Sequence, residues 1–235
     1  VGRNAVLEAL QAGLPVKTAY VAEGSERDDR LRDILTHAVT HSVPLLQATR
    51  TELDRLTGGA VHQGVALLLP TYEYADIEDV LEEALAQDGI IIACDQITDP
   101  HNLGAIIRSA AAFRAVGVVI PSRRSAKMTA AAWKASAGMA ARVPVAQVVN
   151  LNRALSQCGE AGCTIVGLAG QAETTIDEVR QDGPLVLVIG SEGSGLSRLV
   201  KEHCDTLARI EIASTVESLN ASVATAIALY ELSRI

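Results

Sequence analysis

Residues 90–121 read IIIACDQITDPHNLGAIIRSAAAFRAVGVVIP, and they decide the fold. The apolar run at 90–94 has the character of a strand buried on both faces. A small-residue helix is expected from about Asn102 to Phe113, and GVVIP is a second apolar strand. Strand, helix and strand in so short a span form a βαβ unit, which requires the two strands to run parallel.

The pattern continues downstream. Strands are expected at VPVAQV, TIVGLA, PLVLVIG and ARIEI. Helices are expected at Thr129–Gly138, at NLNRALSQCGEAG, briefly near TTIDEVR, at LSRLVKEHC, and from Asn220 to the end. Near-continuous apolar strands between helices imply a mostly parallel sheet covered on both faces. Upstream, residues 1–70 alternate GRNAVLEAL, TAYVAE, DDRLRDILTHAVTHS, VPLLQA, TRTELDRLTG and GVALLL, a smaller α/β domain. Between the two lies TYEYADIEDVLEEALAQD (71–88), read as an acidic linker with a helical pattern at Ile77, Val80, Leu81 and Leu85. The expected division is therefore 1–70, 71–88 and 89–235.

Composition suits this architecture. Of 235 residues, 49% are hydrophobic, yet the chain has one Phe, one Trp and four Tyr. Its core must be built from Ala, Val, Leu and Ile, which favours closely packed helices on β-branched strands. No apolar run reaches the roughly 18 residues of a membrane span and no secretory signal is visible, so a cytoplasmic protein is expected. Cys94, Cys158, Cys163 and Cys204 show no metal-ligand spacing and read as reduced, buried thiols; no metal is expected.

The formal net charge of −8 speaks against a nucleic-acid partner until its distribution is examined. The stretch 71–88 carries seven acids and no Lys or Arg, whereas 100–159 carries eight basic residues and no acid. Arg123, Arg124 and Lys127 lie in that basic block, which is a candidate footprint for phosphates. Arg108 belongs to it too, and it is odd. Its helical neighbours are Gly104, Ala105, Ala111 and Ala112, so no carboxylate is within a turn to pair with it.

In a parallel α/β domain, ligands are expected at the carboxyl ends of the strands. Three loops stand there: DQITDPHNLG, GSEGSGLS (190–197) and ASTVESLNAS. The second has its glycines in the order G-x-x-G-x-G (Gly190, Gly193, Gly195), which matches neither the dinucleotide fingerprint nor the P-loop. Its Glu192 would repel a phosphate but could hold a hydroxyl or an ammonium group. In the other loops, His101, Asn102, Ser218 and Asn220 are all candidate helix caps.

Taken together, the three loops resemble the three motifs of the SpoU (TrmH) branch of the SPOUT RNA methyltransferases. The resemblance rests on DPHNLGAIIRSAAAFRAVGVVIP, LVLVIGSEGSGLSRLVKEHCD and IEIASTVESLNASVATAIALYEL. GRNAVLEAL and GGAVHQGVALLLP are similar to the family's substrate-binding domain. The combination is similar to RlmB-like enzymes, which methylate a guanosine 2′-hydroxyl of 23S ribosomal RNA. The resemblance implies a C-terminal α/β-knot, a deep trefoil that ordinary chain-tracing rules would exclude. It implies S-adenosylmethionine as cofactor, contacting Gly190, Gly193, Ile210 and Leu219, with Leu168 and Gly170 nearby. It implies catalytic roles for Asn102, Arg108, Glu192, Ser218 and Asn220, and a homodimer through the knot domain. Two roles for Arg108 stay open, as a transient base or as a charge stabilising an alkoxide; a guanidinium is ordinarily no base. Arg123, Arg124 and Lys127 would grip RNA. A transfer-RNA 2′-O-methyltransferase and a non-catalytic RNA-binding or ribosome-assembly factor are the alternatives.

Overall fold

A computed structural model describes residues 1–25 and 28–233, and the chain divides into units Val1–Tyr72 and Glu73–Ile235. The first unit runs α1 (Arg3–Gln11), β1 (Thr18–Ala22), α2 (Asp29–Thr40), β2 (Leu45–Ala48), α3 (Arg50–Thr57) and β3 (Val65–Leu68). Its sheet has the order β2-β1-β3, with β1 parallel to β2 and antiparallel to β3. Val6, Leu10, Leu31, Ile34 and Val65 form one core cluster; Leu53 of α3 packs with Ala22, Ala48 and Ala66 in another. Asp28 caps α2 by accepting from Leu31 N–H at 2.8 Å. Thr49 and Glu52 close a capping box on α3, which Gly58 ends in the left-handed conformation.

The second unit continues with α4 (Ile77–Gln87), β4 (Ile90–Cys94), α5 (Pro100–Ala112), β5 (Gly117–Pro121), α6 (Ala130–Ala135) and β6 (Val145–Val148). Then follow α7 (Leu151–Glu160), β7 (Thr164–Leu168), β8 (Thr174–Thr175), β9 (Leu185–Ile189), α8 (Arg198–Glu202), β10 (Thr206–Arg209) and α9 (Ala221–Leu232). The last two positions of the expected C-terminal helix lie outside the described residues. The sheet has the order β6-β5-β4-β9-β7-β10-β8, and its strand pairs are parallel. From β4 the chain walks outward to β6, crosses to β7, and later inserts β9 between β4 and β7. That reversal makes a switch point at the carboxyl ends of β4 and β9, where a parallel sheet offers a ligand crevice.

Both faces of this sheet are covered. Ile91, Ala93, Val119, Ala146, Val186 and Val188 pack with α4, α7 and α8 residues. The alternating positions Ile90, Ile92, Leu185, Leu187 and Ile189 are equally buried. Among the described residues, no helix is long and apolar enough to cross a membrane. No group of His, Cys, Asp and Glu among them could hold a metal ion.

Local differences from the sequence expectations have physical causes. Most of the acidic stretch forms α4, which buries Val80, Leu81 and Ala84 in the second unit while leaving Leu85 43% exposed. Its carboxylates line the solvent side, while Ile77, Val80 and Leu81 of the expected helical pattern turn inward. TTIDEVR gives the two-residue β8 and a 3₁₀ turn over Ile176–Glu178, closed by a Thr175–Glu178 capping box. The Thr129–Gly138 helix ends at Ala135, and a 3₁₀ turn follows at Met139–Ala141. In ARIEI only Ala208 and Arg209 pair in the sheet, and the Arg209 guanidinium donates to the carbonyls of Ala172 (2.7 Å) and Glu173.

Cys94, Cys158 and Cys163 are buried as expected, whereas Cys204 is only half-buried at the edge of the core. Burial pushes the thiols of Cys94 and Cys158 up to about 12, and that of Cys204 up to about 11. Neighbouring Asp95 adds to the effect at Cys94, and Asp205 and Asp95 add to it at Cys204. Cys204 Sγ donates to the Val200 carbonyl, and His203 faces Ser156 instead. At pH 8 a thiol of pKa 12 is thiolate only about once in ten thousand molecules. Iodoacetamide should therefore leave the folded protein unmodified at pH 8 and label it rapidly in denaturant, as read by intact mass.

Candidate active site

The site begins with how α5 is held. Asp99 caps the helix, accepting from His101 N–H at 2.9 Å, and Pro100 occupies its first position. The cap is thus Asp99 rather than His101 or Asn102. Leu103, Ile106, Ile107 and Ala110 are fully buried, and each large side chain contributes about 1.5–3 kcal/mol. At Gly104 a Cβ would stand 2.4 Å from the Ala132 carbonyl oxygen and 2.5 Å from Ala135 Cβ. No side chain fits between α5 and α6. This packing fixes the helix rotation, and with it the directions of Asn102 and Arg108.

The second element is the turn after β9. A Cβ on Gly190 would lie 2.2 Å from the carbonyl carbon of Gly195, so the chain can fold back here only through glycine. Ser191 and Gly195 exchange backbone hydrogen bonds of 3.1 and 2.9 Å. Gly193 (φ 86°) and Gly195 (φ 64°) take left-handed conformations. Leu196 is buried, and it anchors the turn while Glu192 projects, exposed, from the tip.

The third element is the entry to α9. Asn220 Oδ1 accepts from the backbone N–H groups of Ser222 (3.0 Å) and Val223 (3.3 Å) and from the Ser222 hydroxyl (2.6 Å). That fixes the amide orientation. Its Nδ2 therefore faces away from the helix, donating to Asn102 Oδ1 (2.9 Å) and to Glu192 Oε1. Asn102 Nδ2 donates to the same Glu192 oxygen at 2.9 Å, and Ala221 N–H reaches it at 3.4 Å. Residues 28, 90 and 118 positions apart in the chain thus meet in one network. Asn220 spends its whole amide inside it. Asn102 keeps one N–H, and Glu192 keeps Oε2, for a ligand.

Not every candidate joins this network. Ser218 is exposed, two residues before Asn220. Arg108 is exposed as well; six residues beyond Asn102, it sits roughly 9 Å along the axis and about 120° around it. Neither hydrogen-bonds to Asn102, Glu192 or Asn220. Leu168, Gly190 and Ile210 end or follow β7, β9 and β10, which are sheet neighbours, so they share one edge. Leu168, Ile210 and Leu219 are half-buried. A Cβ at Gly170 or Gly193 would meet no atom within 4 Å. Backbone groups thus line an open rim beside Gly190, which suits a ligand read through its polar edges and held by shape. Arg123, Arg124 and Lys127 are exposed after β5.

Two features escape sequence reasoning. One is Asp95, a buried carboxylate at the end of β4; its signal is an acid closing an apolar strand. The other is a cleft of about 660 Å³ in the first unit, lined among others by Arg3, Arg30, Arg50 and His62. Asp28 pairs with Arg3 and Asp54 with His62, while Arg30 and Arg50 make no ion pair among the described residues.

The comparisons with known proteins fit this geometry. Residues 89–230 match the model of the SpoU rRNA Methylase family, and residues 1–75 match that of RNA 2′-O ribose methyltransferase substrate binding. The chain belongs to the SpoU methyltransferase family. An uncharacterized tRNA/rRNA methyltransferase of Mycolicibacterium vanbaalenii is 50% identical over all of this chain and 75% of its own length. The SpoU methyltransferase AviRb from Streptomyces viridochromogenes, in complex with AdoMet, is 25% identical with a TM-score of 0.70. That match covers 99% of this chain and 88% of AviRb. A TrmH/SpoU tRNA modifying enzyme of A. aeolicus, 28% identical with a TM-score of 0.57, covers 67% of this chain and 83% of its own. The protein is an S-adenosylmethionine-dependent RNA methyltransferase of this SpoU family.

Proposed function

We propose that the enzyme methylates a ribose 2′-hydroxyl, that of a guanosine in 23S ribosomal RNA, in the cytoplasm. The Asn102–Glu192–Asn220 network carries this reading. It offers a carboxylate oxygen and an amide N–H side by side at the switch point, a pair suited to a ribose hydroxyl and repellent to phosphate. Support for ribosomal RNA over transfer RNA comes from the substrate-binding match over residues 1–75, since the tRNA modifying relative aligns with only 67% of this chain.

Gly190, Gly193, Ile210 and Leu219 would hold S-adenosylmethionine, with Leu168 and Gly170 beside them, in the trefoil arrangement expected of this family. When bound, that cofactor supplies an electrophilic methyl group on a sulfonium. The chain's own work is then to orient and polarise the acceptor. Glu192 Oε2 accepts from the ribose hydroxyl, Asn102 donates to its oxygen, and Ser218 lines the approach. Arg108 stays charged and stabilises the developing alkoxide, while the proton leaves to water.

Arg108 and the network leave α5 in different directions, and this favours a homodimer. The solvent-facing side of α5 carries His101, Ala105, Arg108 and Ala112, and its two alanines leave room for close approach by a second copy. α9 is apolar nearly all round, with Val223 46% and Tyr230 49% exposed, as expected of a helix that packs on two sides.

RNA is gripped at Arg123, Arg124 and Lys127, with Arg30 and Arg50 of the first unit adding to it. Replacing Arg123, Arg124 and Lys127 with Ala should flatten the plot of log affinity against log salt by about 0.7–0.9 for each phosphate no longer neutralised. An unchanged slope contradicts the assignment. The target is tested by mapping 2′-O-methylation in ribosomal and transfer RNA from cells with and without the gene. The reading expects one guanosine of 23S RNA to lose its mark; loss from a transfer RNA instead overturns that target.

A further inference from the structure

Asp95 is one of only three polar or charged residues in the buried set of the described chain, and the sole carboxylate among them. Its position is unusual. Its backbone N–H donates to the Ile189 carbonyl at 2.7 Å, extending the β4–β9 pairing by one residue. Its Oδ2 accepts from Ser197 N–H at 2.6 Å, across 102 residues of sequence. Ser197 closes the glycine turn and opens α8, which has no side-chain cap of its own. One residue at the end of β4 thus grips both ends of the 190–197 turn, at the base by its backbone and at the exit by its side chain.

We propose that Asp95 is a positioning residue that holds this turn in its cofactor-binding shape. Burying a carboxylate is costly unless hydrogen bonds compensate it. A buried acid is therefore retained where an acceptor must be fixed, and here it fixes the exit of the turn whose tip carries Glu192. The turn's glycines give it no side-chain packing at Gly193 and Gly195, so its outline depends on the Ser191–Gly195 bridge, buried Leu196, the bonds of Glu192 to Asn102 and Asn220, and Asp95. The role is that of a hydrogen-bond acceptor, and Asn can supply it. The inference rests on the reading that the turn seats S-adenosylmethionine.

The test uses full-length D95A, D95N and S197P beside the parent. Ser197 has φ −64°, which proline adopts, so S197P deletes the donor and sets the ring Cδ where the Asp95 carboxylate sits. Two readouts are taken: the dissociation constant for S-adenosylmethionine by calorimetry, and amide exchange over 190–197 without cofactor. D95A and S197P should both speed exchange and weaken binding about tenfold or more, with D95N within about threefold of the parent. Unchanged exchange in D95A and S197P, or D95N as weak as D95A, overturns the role of Asp95. Faster exchange with unchanged affinity overturns the proposal differently, by removing the cofactor from the turn. Should D95A fail to fold, S197P and D95N decide the matter between them.

Discussion

Arg108→Ala should slow methyl transfer by about a hundredfold to a thousandfold, the usual cost of deleting one donor aimed at developing negative charge. S-adenosylmethionine affinity should stay within about threefold of the parent, because no cofactor contact is assigned to this residue. Stability should barely move. Arg108 is exposed and makes no ion pair among the described residues. Arg108→Lys separates charge from shape. If a positive charge alone suffices, lysine restores most of the rate; if the planar fork must bridge two oxygens, it restores little. Single-turnover rates with saturating RNA, alongside calorimetry, check both variants. A parent-like rate in Arg108→Ala removes it from the mechanism.

Gly190→Ala should abolish measurable cofactor binding while the sheet survives. Its Cβ would stand 2.2 Å from Gly195 C, 2.4 Å from Leu196 N and 2.5 Å from Gly195 O. These are backbone atoms, so no side chain can swing aside. The turn must open, and Leu196 must leave its buried seat against Gly167. Overpacking of this kind costs about 1–3 kcal/mol, which lowers the melting temperature without unfolding a core as large as this one. Melting curves with and without S-adenosylmethionine report it. The parent should be stabilised by the cofactor and the variant should not. An equal cofactor-induced shift in the variant would place the cofactor elsewhere.

The alternation of 89–235 was legible because parallel strands buried on both faces, such as IIIAC and LVLVI, leave long apolar runs at regular intervals. The strand order was not. Whether β9 pairs with β4 or lies at an edge depends on contacts between residues nearly a hundred positions apart, which periodicity does not encode. Short elements were also hard to read. β8 pairs with β10 over two residues, with Arg209 reaching the carbonyls of Ala172 and Glu173 just before it, and a composition window sees only an isolated arginine. Asn102, Glu192 and Asn220 were individually indistinguishable from caps and turn residues. Asn220 is in fact both, capping α9 with Oδ1 and bridging the loops with Nδ2. Arg108 stood out in the sequence for lacking a partner in its helix. Its angular separation from Asn102 follows from their spacing on the helix, but the network that Asn102 joins appears only in the fold. Asp95 remained silent, since an acid ending a strand reads as a loop until its burial is known.

The most direct test of the account follows the methyl group. Purified enzyme is incubated with S-adenosylmethionine labelled in its methyl group and with unmodified 23S RNA, and the RNA is then digested with alkali. Cleavage by alkali requires a free 2′-hydroxyl, so a methylated ribose survives in an undigested dinucleotide. The account predicts label in a single alkali-resistant dinucleotide beginning with guanosine, formed about a hundredfold to a thousandfold more slowly with Arg108→Ala. Label recovered in mononucleotides would mean that a base was methylated, and would contradict it.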